Sequence, residues 1–508
     1  MRMMKPLAAA VSALAFSLGV CAAEKEAGSA LDEEDAAAIG LFREFLSYPN
    51  DAHDREAILW LVEWMEPQFE ARGFRTQRIE TPGAPALFAE RRVEGAARTA
   101  LIYLQADGQP VDPAKWNQPS PWTAVLKERG DDGDWRIIEW PGGGEAIDLD
   151  WRIFARSASD SKGPMTQFLI ALDQIAARGS APAANLKVIV DTEEELGSPH
   201  LAEAVQQNRE LLAADYLLIF DGPPHASNRP TVTFGARGIS TIMLTIWGPK
   251  TPQHSGHYGN FVPNPALSLA KLLASMKDDE GRVRIKGYYD GVRLAKDVKA
   301  VLANVPDDEA KILDDMGLVE SDRVAPTLQE ALQYPSLNVR GMAAGWVGDA
   351  VRTIIPDKAV AEIDIRTVKE SDPQRLISLI RRHIENEGFF VLDRAPNDEE
   401  RKTHPRIATF ESAVSYAAFR SDFDSEPGLV ARAALKRLYG EEPILIRSFG
   451  GSIPIAPLVD TLNIPAAVIP TVNIDNNQHS PNENIRLGDF LAGIDRIEGV
   501  LTEPPPGR

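Results

Sequence analysis

The sequence predicts an α/β protein in which a mainly parallel sheet, covered by helices, is interrupted by an inserted α+β domain. Three observations carry that reading. Apolar runs at Ala100–Leu104, Leu186–Val190 and Tyr216–Phe220 read as buried strands, with a helical pattern over Gly163–Ala177 between the first two. After Gly235-Ala236-Arg237-Gly238 the pattern changes to alternating strands and longer helices, and from about Phe423 the first pattern returns. At 508 residues the chain is also too long for one core.

Taken in order, the chain begins with basic Arg2 and Lys5, an apolar stretch from Leu7 to Val20, and small residues at Ala22 and Ala23. This is the pattern of a secretory signal peptide over residues 1–23, so a periplasmic or secreted location is expected. The only cysteine, Cys21, follows Val20, a poor residue before a lipidated cysteine, so lipid anchoring is disfavoured and the exported chain is expected to lack cysteine. No later apolar run is long enough to span a bilayer. A net charge of −20 with pI ≈ 5.0 speaks against nucleic acid or an anionic membrane as partner.

The first catalytic segment is expected over residues 32–230. Its helix over Asp54–Arg72 places Ile58, Leu61, Val62, Met65 and Phe69 on one face. The connection Gln109–Asp150, rich in Trp, Pro, Gly and Asp, is long enough to suggest a functional loop. Its aromatic group, Trp116, Trp122, Trp135 and Trp140 with Trp151 beside it, either lines a pocket mouth or packs on the domain. The inserted domain, expected over 231–407, shows strands at Ile239–Trp247 and Ala359–Ile365 and helices at Pro265–Met276 and Asp372–Glu387. The returning segment, 408–503, holds a helix through Leu429–Leu438, the Gly450-Gly451-Ser452 turn, an apolar run Pro465–Pro470 and a loop with His479.

Chemistry-bearing residues cluster just past the ends of the apolar runs. Leu104 is followed by Gln105 and Asp107, Val190 by Glu194 and Glu195, Phe220 by Asp221, and Pro470 by His479; Asp160 stands just ahead of a helix. Open α/β sheets gather their chemistry at the carboxyl ends of their strands. A cluster of glutamates there needs a cation or a shared proton, unless it is merely a solvated acidic loop. Carboxylates and an imidazole are the donors that bind zinc or a similar ion.

Five motifs in order then resemble the co-catalytic metallopeptidases that include carnosine-type dipeptidases, glutamate carboxypeptidase, aminoacylase and diaminopimelate desuccinylase. They are QADGQPVDPAKW, SASDSKGP, DTEEELGS, IFDG and NNQHSPNE. In the insert, HSGHYGNFVPNP, YPSLNVRG and VRTIIP resemble the carnosine-dipeptidase branch. The resemblance implies a zinc-peptidase-like catalytic domain with an inserted dimerisation (lid) domain, and an enzyme that hydrolyses dipeptides or N-acyl amino acids. It implies one or two Zn2+ ions, with Mn2+ or Co2+ able to substitute, and a homodimer. Residue by residue, Asp160 would bridge two metals, Asp221 would complete one site, and Glu195 with His479 the other. Glu194 would be the general base, and Asp107 would orient a histidine two residues before it.

That histidine is replaced by Gln105. Three outcomes stay open: two metals with Gln105 as an oxygen ligand, one metal on Asp160, Glu195 and His479, or a site without hydrolysis that only binds peptides. His225 is either a substitute ligand or an exposed loop histidine. The resemblance also implies that His254 reaches across a dimer to the oxyanion, and that Thr353, Arg366 and Ser452 hold the substrate carboxylate. A carboxypeptidase or deacylase acting on longer acyl groups is the alternative activity.

Overall fold

Eight strands form the larger sheet of the computed structural model, which describes residues 29–506. The expected signal peptide at 1–23 lies outside the described residues. Across the sheet the order is Arg75–Ile79, Ala86–Arg91, Asn185–Asp191, Thr99–Gln105, Tyr216–Phe220, Ala466–Ile469, Thr231–Thr233 and Ile444–Ile446. The four strands from Asn185–Asp191 to Ala466–Ile469 run parallel, and antiparallel pairs appear toward the edges.

Burial on both faces explains why these strands read as continuous apolar runs. Ile102, Leu104, Val188 and Val190 face one core with the helices Glu33–Leu46, Arg55–Glu70, Lys162–Ala177 and Leu487–Thr502. Leu101, Tyr103, Ile189 and Ile219 face the other, under the helices Leu201–Gln207 and Ala456–Leu462.

The connection expected to be a long functional loop is partly regular. It contributes Val125–Arg129 and Trp135–Ile138 to a four-stranded sheet completed by Arg152–Phe154 and Asn484–Arg486. Its tryptophans pack on the domain: Trp116 lies under the Arg156 guanidinium, Trp140 under Arg43, and Trp135 against Phe154. The pairing of Asn484 with Phe154 and Ile485 with Ile153 ties the His479 segment to the Asp160 segment, more than 300 residues apart in sequence.

The inserted domain is a five-stranded sheet ordered Asn338–Ala343, Lys358–Thr367, Gly238–Trp247, Ile407–Tyr416 and Phe390–Leu392. Helices Pro265–Met276 and Pro373–Asn386 cover one face, the latter burying Leu376, Ile377, Ile380 and Ile384 at helical spacing. The expected boundaries at 231 and 407 shift. Thr231–Thr233 belongs to the large sheet and Ile407–Tyr416 to the inserted one, so the chain crosses at Gly235–Ala236 and Phe419–Arg420, which pair with each other.

Candidate active site

Because the central strands are parallel, their carboxyl ends deliver side chains to one edge. Gln105 ends its strand, Glu194 and Glu195 begin a short 3-10 turn after Asp191, and Asp221 directly follows Phe220. His479 lies in the connection after Ala466–Ile469, where Asn477, His479 and Asn482 take φ of 55°, 60° and 63°. Asparagine and histidine tolerate this left-handed backbone better than most residues, and the turns aim the imidazole back across the edge.

Asp160 reaches the edge from the loop ahead of Lys162–Ala177. Glu483, fully buried, holds that loop: it accepts from the backbone N–H groups of Ser157, Ser159 and Asp160 at 2.9, 3.0 and 2.9 Å and pairs with Arg156 at 2.8 Å. No local pattern marks Glu483 for this role, although it closes the NNQHSPNE motif.

One donor atom each from Asp160, Glu195 and His479 lies within 4.8 Å of the others. His479 Nε2 is 2.9 Å from Asp160 Oδ2 and 3.4 Å from Glu195 Oε2. The hydrogen bond to Asp160, helped by the Glu195 charge, lifts the imidazole to about 9. Burial, then the Asp160 charge, pushes the Glu195 carboxyl up to about 7, although Gln109 donates to it at 2.7 Å. Two carboxylates converging on an imidazole nitrogen form a donor set suited to a divalent ion, so these residues fit the metal that the motifs imply.

Glu194 stands next to this group. Burial first, and then the charges of Asp160, Glu195, Asp107 and Asp221, push its carboxyl well above the usual range. A carboxylate of that kind is poised to take a proton. Asp107 departs from expectation. It orients nothing at position 105; its Oδ2 accepts the Glu195 N–H at 2.8 Å, fixing the turn that carries both glutamates, while its buried Oδ1 has no partner. Asp191 and Glu193 are supporting groups: Asp191 accepts from Tyr103, Ser198 and the Glu193 N–H, and Glu193 lies 2.7 Å from His200 Nδ1.

Gln105 is buried and donates through Nε2 to Asp160 Oδ1 and Ser161 Oγ, both at 3.0 Å. Ser161 Oγ in turn donates to Asp221 Oδ1 at 2.9 Å. Asp221 is thus joined to the centre through Ser161, outside the Asp160–Glu195–His479 group. Burial, then the Asp160 charge, raises its carboxyl to about 7. His225 is not exposed and stands outside the Asp160–Glu195–His479 group; its Nε2 pairs with Asp307 of the inserted domain at 3.0 Å, and its side chain is 7% exposed.

Of the residues expected to hold substrate, Arg366 and Ser452 come together, Nη1 donating to Oγ at 2.9 Å. A second guanidinium, buried Arg237, lies behind them, bonded to the Tyr334 and Arg366 carbonyls and held by backbone bonds to Phe449 and Gly451. Burial, then the Arg366 charge, lowers it to about 10. In the sequence Arg237 stands out only as part of a domain boundary. His254 and Thr353 neighbour each other on the small Gln253–His254 and Ile354–Ile355 ladder, where Ser255 N–H donates to the Thr353 carbonyl, and both are exposed. His254 stacks on His257 and does not join the ligand group of its own chain.

The profile of "Peptidase family M20/M25/M40" matches residues 125–503. The chain is 26% identical over 439 residues to the Cys-Gly metallodipeptidase of Saccharomyces cerevisiae, covering 84% of each. It is 26% identical to the human Beta-Ala-His dipeptidase, covering 83% of this chain and 78% of that protein. Among solved structures, an M20 family metallo-carboxypeptidase from Sulfolobus solfataricus superposes with a TM-score of 0.73 at 27% identity, over 93% of this chain and 99% of that one.

Proposed function

The chain belongs to peptidase family M20/M25/M40, and on that premise we propose that this metallopeptidase hydrolyses the amide bond of dipeptides, with N-acyl amino acids as related substrates. The observation that carries the reading is the convergence of Asp160, Glu195 and His479 beside Glu194, with Arg366 and Ser452 bonded to each other. The dipeptidase relatives supply the substrate class.

When bound, a divalent ion, here zinc, lowers the pKa of the attacking water and polarises the scissile carbonyl. Asp160, Glu195 and His479 would hold it. Glu194 takes the proton of the water onto its carboxylate and passes it to the leaving amine. Arg366, fixed by Ser452, presents its guanidinium to the substrate carboxylate, with Arg237 adding positive charge behind it.

His254 acts in trans. It lies outside the ligand group of its own chain, and the inserted domain offers an interface: Asn338–Ala343 is an exposed edge strand with Met342 56% exposed, followed by Trp346 at 55% and Val347 at 86%. Export belongs to the same reading and rests on residues 1–23.

A panel of dipeptides, N-acyl amino acids and longer peptides, assayed with and without chelator, tests the activity. Chelator-sensitive cleavage of dipeptides is expected; cleavage of longer peptides only would favour the carboxypeptidase alternative, and no cleavage the peptide-binding one. Glu194→Gln should lower kcat by about 10²–10⁴-fold with metal content unchanged, and a wild-type rate would remove Glu194 from the base role.

A further inference from the structure

Gln105, Ser161 and Asp221 occupy the side of the cleft where the motif resemblance implies a second metal, and they are bonded to one another. An amide nitrogen has no lone pair to offer a cation, and Gln105 presents that nitrogen to Asp160 Oδ1 and Ser161 Oγ, each at 3.0 Å. The direction is set by the partners. Turning the amide over would put Gln105 Oε1 against a carboxylate oxygen with no proton between them. Ser161 Oγ, accepting from Gln105, spends its single proton on Asp221 Oδ1 at 2.9 Å, closer than Asp160 Oδ1 at 3.2 Å. The chain of donors therefore runs Gln105 to Ser161 to Asp221.

The other side is different in kind. Asp160, Glu195 and His479 bring three basic donor atoms within 4.8 Å, and the two carboxylates match the charge of one divalent ion. Asp221 is not among them. A cation on the Gln105 side would have to break three hydrogen bonds and, besides the Asp160 and Asp221 carboxylates, would find an amide oxygen and a hydroxyl, weak neutral donors, where an imidazole would otherwise stand.

We propose that the site holds one metal ion per chain, on Asp160, Glu195 and His479, and that the Gln105–Ser161–Asp221 hydrogen-bond chain closes the neighbouring position. This rests on the metallopeptidase reading and narrows it. Asp160 then serves both sides: Oδ2 faces His479 and Oδ1 accepts from Gln105. Gln105 is a positioning residue for Asp160.

The test is metal content. The full-length protein is dialysed to equilibrium against saturating free zinc, and bound zinc is measured by mass spectrometry and isothermal titration, with circular dichroism confirming the fold of each variant. One ion per chain is expected in the wild type, and Asp221→Asn, which still accepts from Ser161, should keep it. His479→Ala should lose it. Gln105→His, which supplies an imidazole in place of the amide, should raise the content to two. Two ions in the wild type would overturn the proposal and leave the peptidase reading standing, whereas no ion in the folded protein would overturn both. Loss of the ion in Asp221→Asn would overturn the assigned ligands, and one ion in Gln105→His would overturn the role given to Gln105.

Discussion

Glu483 shows how much of the site depends on a residue that is not on its surface. Its carboxylate takes three backbone N–H groups of the Asp160 loop and the Arg156 guanidinium, all buried. Glu483→Gln removes the charge that faces Arg156 and is expected to cost about 3–5 kcal/mol, measured by denaturant unfolding. Where the variant remains folded, its zinc affinity should fall by about 10–100-fold, because the loop that aims Asp160 is loosened. A variant with wild-type stability and affinity would show that the loop holds itself. Glu483, Gln109 and Arg237 are not legible in the sequence because their partners are distant along the chain. Asp160, Glu194, Glu195, Asp221 and His479 are legible because each stands beside an element that local patterning reveals.

At the scale of elements, the two sheets are joined where the chain crosses between them. Glu370, just past the Lys358–Thr367 strand, accepts from Arg420 on the Phe419–Arg420 strand and from Arg447 beyond the Ile444–Ile446 strand. Burial pushes its carboxyl up, but the Arg420 hydrogen bond and charge outweigh this and hold it below the usual 4.5. A depressed acid contributes stability that is present above its unfolded pKa and is lost as pH falls through the folded value. Glu370→Gln should therefore lower stability by about 1–2 kcal/mol at neutral pH, the pair being half-buried. The difference from wild type should shrink as pH falls below 4.5, followed by thermal melts at several pH values; a constant difference would assign the loss to packing. The crossing points themselves are misplaced by the sequence pattern. Thr231–Thr233 is only three residues long, and the alternation of Ile407–Tyr416 does not say which sheet it joins.

At the scale of the whole molecule, the inserted domain buries one face of its sheet under two helices and leaves the Asn338–Ala343 edge unpaired among the described residues. If the chain dimerises through this edge, as proposed, the wild type should run as a dimer in light scattering and Met342→Lys, which places a charge on the edge, as a monomer with melting temperature unchanged. Activity should fall with dimer content if His254 completes the partner's site; a fully active monomer would show that each chain is complete. Sequence alone determined the α/β class, the inserted domain and the order of the ligand motifs, because hydrophobic period and the residues that end each strand are local properties of the chain. Tertiary structure alone decided what Gln105 does. Its amide meets Asp160 and Ser161, 55 and 56 residues away, and the direction of those hydrogen bonds, which no spacing encodes, is the observation on which the proposed single-metal site rests.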